Sequence, residues 1–596
     1  MSIAQNFPNI KPSLMLSFAD TKQLDSRITY TRASTASYYD GVTTSMAEQN
    51  LFTYSQEFDN AAWQLGSATV TANTTAAPDG TTTAETLTAT ASTNRHSIFR
   101  TGGTFATVNG SAYMASFFVK ANTNNFIQIF VSNQSADFAN FNLSTGAVGT
   151  TGGTGSSATI TSVGNSWYRI TMPYTAGGTD RDVALAITSS ASAARGESWT
   201  TVGTESVYIW GAQIEIRSSV TAYTATTTQA ITNYIPKLQS AASGVARFDN
   251  NPTTGESLGL LIEESRSNLQ VQSQTASGWS AEQGTLTINT VIAPDGTLTG
   301  AKFSASTASD THRSNAPTVG SLTTATTYTA TVFMKAGGYN YGYIRDGFTG
   351  NYVIFDLSAG TVSSSSGGTG AITSVGNSWY RCSAAMVTSG TNFRMDVGVC
   401  STNAQTPATA WAGNNFSGIY IWGAQLELGA FATSYIPTVA SQVTRAADAA
   451  SMTGTNFSTW FNNGEGTIYT DFTRLTVVNS SQFSISDGTA NNYIQSVSSG
   501  TGSVEQAIIA YSGTVGFNYG PTTVSSGKIV MAYKFNDSAA SLNAATATTD
   551  TSVTIPAVNQ LSIGSSTSSQ KLNGALKKLA YYPLRVTNAQ LQSLTS

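Results

Sequence analysis

The side chains able to do acid–base or metal chemistry are few and scattered. The chain has 596 residues with only 32 Asp and Glu, two His and two Cys. Glycoside hydrolysis needs two carboxylates flanking the scissile bond. One candidate pair is Glu263–Glu264 in LLIEESR, where strand neighbours point to opposite faces. The others are Glu465, Asp471 and Asp487, spread over the C-terminal segment. Neither set predicts a facing acid and base. His96 and His312 stand beside Arg95 and Arg313. A lone His without a partner set makes no Ser-His-Asp triad, and zinc needs three or four clustered ligands. Both are expected to hydrogen-bond at a strand edge or loop; the functional alternative is contact with a sugar hydroxyl. A Cys382–Cys400 bridge across a hairpin is conceivable, but two buried free thiols are the simpler expectation.

Sugar recognition uses flat aromatic faces with polar groups around them. The stretch GGYNYGYIRDGF places Tyr339, Tyr341 and Tyr343 at period two, on one face of a strand, with Arg345 near one end. The alternative is one core-facing Tyr and two partly exposed ones. This stripe and the two histidines, His96 and His312, form the candidate glycan-binding set.

The elements that must position these residues come in duplicate. TSVGNSWYR occupies Thr161–Arg169 and again Thr373–Arg381, 212 positions later. YIWGAQIE at Tyr208 recurs as YIWGAQLE at Tyr420, also 212 positions on. APDGT recurs from Ala77 to Ala293, and Trp63, Trp167 and Trp210 recur as Trp279, Trp379 and Trp422. The spacing far exceeds that of solenoid repeats, so each copy is a domain-sized module. Within a copy, short alternating runs such as ATVTA and WYRITM are punctuated by Gly, Asn, Ser and Asp. The expected fold is all-β: tandem antiparallel β-sandwich or jelly-roll modules. After the second copy VTRAADAASM (443–452) reads as a connector, followed by further strands. TNAQLQSLTS reads as a short C-terminal helix, capped by Thr587 with Gln590.

Composition narrows the partners. Charged residues are 10% of the chain, 28 basic against 32 acidic, while aromatics are 10%. Aromatic content at that level argues against disorder. No Lys/Arg cluster predicts nucleic-acid binding, and no apolar run approaches the roughly 18 residues of a membrane span. The N-terminal sequence lacks the pattern of a secretory signal, as expected of a protein made in a bacterial cytoplasm.

Three phrases carry a family resemblance. SLMLSFADTKQLDSRITYTRASTASYYDG near the N-terminus resembles the start of bacteriophage tail and virion structural proteins. VARFDNNPTTGESLGLLIEESRSNL and YIWGAQLELGAFATSYIPTVASQVTRAAD are similar to segments of the same proteins. NLFTYSQEFDNAAW resembles the first strand of phage-borne carbohydrate-binding-like jelly rolls, and the C-terminal part resembles a concanavalin A/laminin G-like sandwich. The resemblance implies a virion structural protein of a tail fibre or external spike, a homotrimer that contacts host cell-surface polysaccharide. It implies attachment to other virion proteins through the N-terminal region. Capsid-decorating, head-fibre and baseplate proteins are the structural alternatives. A depolymerase is disfavoured, because the Glu-x-Asp-x-x-Glu strand pattern of concanavalin-like glucanases is absent and nothing suggests a parallel β-helix. Jelly rolls of the carbohydrate-binding type further imply a structural Ca²⁺, for which module one offers Glu57, Asp59 and Glu215 and module two only Glu427.

The expected domains are an N-terminal platform (1–49), module one (50–230), module two (268–442) and a terminal sandwich (453–596). In similar proteins TRASTASYYDG leads directly into ARFD…GLLIEE. Here module one intervenes, so 1–49 and 231–267 are expected to form one discontinuous platform.

Overall fold

The strand Ala112–Ala121, AYMASFFVKA, shows how the sequence builds a module. Alternation sends Tyr113, Ala115, Phe117 and Val119 into the core between two sheets. Phe118 points the other way, into a second apolar layer with Trp167 and Trp210. Both faces are covered, which is why the run is continuously apolar.

The computed structural model describes residues 8–100, 107–132, 136–178 and 182–596. Module one is a sandwich of two six-stranded antiparallel sheets, and module two repeats it with the same strand order. In each copy one sheet is built around a long central strand, Ala112–Ala121 or Thr327–Gly337. The opposite sheet of module two runs Ser280–Glu282, His312–Asn315, Met395–Cys400, Tyr341–Asp346, Tyr352–Asp356, Thr361–Ser366. The third sandwich pairs an eight-stranded with a seven-stranded sheet. No described helix is long and apolar enough to cross a membrane. The C-terminal helix Asn588–Leu594 carries the expected capping box between Thr587 and Gln590.

The third sandwich draws strands from the whole chain. Leu14–Leu16 pairs with Gly574–Tyr582. Thr29–Thr31 pairs with Ala449–Thr453. Ser257–Ile262 also pairs with Gly574–Tyr582. The segment read as a connector, 443–452, thus contributes two short strands; beyond Val443 and Thr444 its small Ala and Ser side chains gave no aromatic or β-branched signal. Residues 1–49 and 231–267 do meet, since Ala36–Asn50 pairs along Ile231–Ala241. The body they enter is the terminal sandwich rather than a platform of their own.

Each module is therefore an excursion from one sandwich. Module one leaves and returns along the Ala36–Asn50/Ile231–Ala241 stem. Module two does so along the short Arg266–Asn268/Val443–Arg445 pair. Closely spaced entry and exit strands make such insertions tolerable.

A buried ion cluster lies where the stems diverge. Asp448 accepts from Arg247 at 2.6 Å, from Arg32 at 3.2 Å and from the Tyr30 hydroxyl at 2.5 Å. Glu263 accepts from Arg247 at 2.8 Å, from Arg445 at 3.0 Å and from Ser434 Oγ at 2.6 Å. All five charged side chains are sealed from solvent. Three guanidiniums face two carboxylates, and spare N–H groups donate to the carbonyls of Ala242 and Glu264. Burial pushes the Glu263 carboxyl up, but Arg445 and Arg247 outweigh it and hold it at about 2.

Two outcomes follow from this cluster. Asp448→Asn leaves Arg32 and Arg247 short of negative charge in a dry site, and is expected to cost about 3–5 kcal/mol in denaturant unfolding. A loss within measurement error would show that the cluster does not hold the junction. The Glu263 carboxyl sits below its unfolded value of 4.5. Its contribution is thus complete above that pH and is lost as pH falls through about 2. Unfolding free energy measured over that window should decline, and the decline should be shallower in Glu263→Gln.

Candidate functional site

The two histidines are structural clasps. Both are buried. His96 Nδ1 lies 2.7 Å from Ser67 O, and Nε2 lies 3.2 Å from Trp199 O. His312 Nδ1 lies 2.5 Å from Gln283 O, and Nε2 lies 2.8 Å from Trp411 O. Each ring also meets the edge of Trp199 or Trp411. With both nitrogens on main-chain oxygens, neither ring faces a ligand.

The tyrosine stripe divides. Tyr341 and Tyr343 lie on the strand Tyr341–Asp346, whereas Tyr339 precedes it and packs edge-on against Trp411 at 4.9 Å. Tyr343 is buried, with Ile354 and Cys400, on the sheet's outer face, away from the core. It fits there because position 398, its cross-strand partner, is Gly; a Cβ would collide with the Tyr343 ring and with His312 O. Tyr341 and Tyr352 border this cluster and are half-buried.

Cross-strand register gives the outer face its chemistry. Asn315, Asp396, Arg345 and Tyr352 lie side by side on four successive strands. Asp396 accepts from Arg345 at 2.8 Å and from Arg394 at 2.6 Å. Arg313 pairs with Glu282 at 2.5 Å. Phe348, in the turn leaving the Arg345 strand, is exposed. The result is an open patch of aromatic edges and cationic forks with one buried carboxylate. Of the sequence candidates, Arg345 and Tyr341 lie in this patch. Sequence reasoning missed Tyr352, Arg394 and Asp396, whose proximity depends on pairing rather than on spacing.

The carboxylates do not converge. Glu57 is exposed, Asp59 is exposed and acts on the Glu85 carboxyl by its charge, and Glu215 is buried, accepting from Thr221 N at 3.1 Å. Glu427 repeats this on Thr433 N at 3.0 Å. The three positions suggested for Ca²⁺ thus stand in different surroundings, and no group of three or more His, Cys, Asp or Glu able to hold a metal occurs among the described residues. Burial, then the Asp59 charge, raises the Glu85 carboxyl to about 8. Glu263 is consumed by the ion cluster, and Glu264 pairs with Arg266 at 2.5 Å. Cys382 and Cys400 are free and buried. They lie in different apolar clusters.

A second concave feature separates the modules. It is a cleft of about 830 Å³, open to solvent, within the usual range for ligand sites. Its mouth lies between two sheet-edge strands, Thr159–Gly164 of module one and Gly284–Val291 of module two. Arg169 and Lys302 line its interior together with Phe416 and Tyr420.

No protein-family model matches the chain, and no curated protein sequence matches it. Among solved structures it is similar to the N-terminal CBM22-1-CBM22-2 tandem domain from Paenibacillus barcinonensis Xyn10C. That match has 12% identity over 65% of this chain and 99% of the other, with a TM-score of 0.19. It is also similar to the LG1-3 region of the laminin alpha2 chain, at 10% identity over 83% and 96% of the two chains, with a TM-score of 0.18. The class defined by the sheet order itself is a multidomain, antiparallel β-sandwich protein of jelly-roll type.

Gly398→Ala tests the packing behind the patch. Overpacking against Tyr343 should cost about 1–3 kcal/mol by denaturant unfolding. Truncating Tyr343 to Ala in the same chain should make the two losses less than additive. Strict additivity would mean the ring does not rest on Gly398.

Proposed function

We propose that this chain is a non-catalytic structural protein of a bacteriophage virion, part of a tail fibre or external spike, that contacts host surface glycans. The observation that carries the glycan part is the outer face of module two. Half-buried Tyr341 and Tyr352 flank the Arg345–Asp396–Arg394 network on a rigid sheet. Aromatic edges supply contact area, and anchored guanidiniums donate hydrogen bonds to sugar hydroxyls. Support for the virion part comes from the phrases resembling phage structural proteins. Arg32, Arg247, Glu263, Arg445 and Asp448 all fall within them and build the junction cluster. The scattered carboxylates favour binding over hydrolysis.

Leu14–Leu16 and Thr29–Thr31 are strands of the terminal sandwich, each paired with one neighbour. Docking to other virion proteins is therefore assigned to that sandwich as a whole, rather than to residues 1–49 alone; residues 1–7 lie outside the described residues. A homotrimer would multiply weak sites into avidity without new contacts.

Binding of labelled full-length protein to capsulated bacterial strains, with and without their purified polysaccharide, tests this reading. Saturable binding blocked by the polysaccharide is expected, and Tyr352→Ala should weaken it about tenfold, or about 1.4 kcal/mol. Absence of binding by folded protein to every strain would overturn the adhesive role and leave a capsid-decorating, head-fibre or baseplate component.

A further inference from the structure

The two modules present the same apolar layer to different covers. In module two the layer of Phe333, Trp379 and Trp422 is closed by Ala47 and Ile235 of the long stem. In module one, Phe118, Trp167 and Trp210 are closed by Phe416, which module two supplies. The motif glycines follow suit. A Cβ on Gly376 would meet Pro236 at 2.6 Å, and one on Gly164 would meet Asn415 at 2.9 Å. Module one is thus clamped against module two, and the cleft is the part of that junction left open.

Its polar groups are unbalanced. Lys335, on the cleft wall, is matched by Glu48 and donates to Asn377 O at 3.0 Å. Lys302 has no such partner. Its ammonium lies 4.2 Å from the Phe416 ring centroid and 5.5 Å from that of Tyr420, held by cation–π contact alone. Arg169 donates to Thr221 O at 2.6 Å and to Ser116 Oγ at 3.0 Å, while its buried Nε donates to nothing. No carboxylate lies within ion-pair distance of either among the described residues. Burial, then the charge of Arg169, lowers the Lys302 ammonium to about 8. Glu48, which pairs with Lys335, and Asp79 also line the cleft, and the Glu215 charge acts on Arg169 at longer range, but no carboxylate contacts Lys302, so an anion bound there would meet an ammonium that the protein leaves unpaired.

We propose that this cleft binds a sugar residue bearing a carboxylate. The carboxylate is received by Lys302 and Arg169, and the ring lies against Phe416. Thr159, Thr161, Thr285 and Thr287, exposed on the two edge strands, present hydroxyls to the neighbouring sugars. The inference shares with the preceding reading only that the ligand is a saccharide, because the cleft and the outer face of module two are separate surfaces.

Titration calorimetry of the full chain with trigalacturonate tests it, with maltotriose as the neutral control and acetate as the bare carboxylate. Trigalacturonate should bind, with maltotriose and acetate each at least about tenfold weaker. Lys302→Met, which removes no hydrogen bond, should lower trigalacturonate affinity about tenfold at an unchanged melting temperature. Affinity should also fall as pH rises through about 8, where Lys302 loses its proton. Equal binding of maltotriose, full affinity in Lys302→Met, or no binding of trigalacturonate would each overturn the assignment. Tyr352→Ala separates the two surfaces. If it abolishes binding while Lys302→Met does not, the sugar sits on module two's outer face and only the cleft assignment fails. If cell binding is absent while trigalacturonate still binds through Lys302, only the adhesive reading fails.

Discussion

The buried cluster of Arg32, Arg247, Glu263, Arg445 and Asp448 is the constraint on which the remainder depends. It joins residues contributed by four separate passes of the chain at the point where both module stems leave the terminal sandwich. Apolar contacts would tolerate sliding at such a junction. Charge-assisted hydrogen bonds from fixed guanidinium N–H groups, with Arg247 bridging Glu263 and Asp448, do not, so they set the direction of each stem. The desolvation cost is high, and such clusters add little net stability. What this one supplies is position, in a chain where charged residues are only 10% of the total.

From that junction the modules are placed by a second interaction, the covering of identical aromatic layers by different partners. Phe118 and Trp210 pack edge-on or tilted against Tyr223, as Phe333 and Trp422 do against Tyr435. The repeat therefore specifies an adhesive outer face as well as a core. Because stem one lies across module two and module two reaches onto module one, the modules are locked in contact and do not hang as independent beads. The cleft exists because this locking leaves two sheet edges facing one another with a gap between them.

Much of this was legible in the sequence, and the limits have a physical cause. Strand alternation and the duplicated motifs give the two sandwiches and the packing role of the recurrent tryptophans. All six are buried, from Trp63 to Trp422. The assignment of residues 14–31 to the C-terminal sandwich was not legible, because the pairing of Thr31 with Ala449 spans nearly the whole chain and leaves no local signature. Tyr343 looked like its neighbours by spacing. Its burial depends on Gly398, a residue remote in sequence, offering space on the adjacent strand. The histidines recurred at one spacing, and the structure shows why: each closes the same loop onto the same strand edge.

The distribution of satisfied and unsatisfied polar groups separates structural from ligand-facing chemistry. Glu215 and Glu427, both histidines and the ion-paired junction arginines find their partners within the protein itself, and their recurrence or burial is explained by folding. Lys302 is different. Its counterpart position in module one, by the same strand pairing with the YIWGAQ segment, is Thr86, which faces Tyr208 and bonds Thr74. A cation replaces a hydroxyl in one copy only, at the one place where both modules contribute to a cavity. Folding alone gives no reason to place an unpaired ammonium beside Arg169, since a Thr at the equivalent site closes the same sheet. The asymmetry between two otherwise matched copies therefore marks the junction, more than either module alone, as the place where a charge is held for something outside the chain.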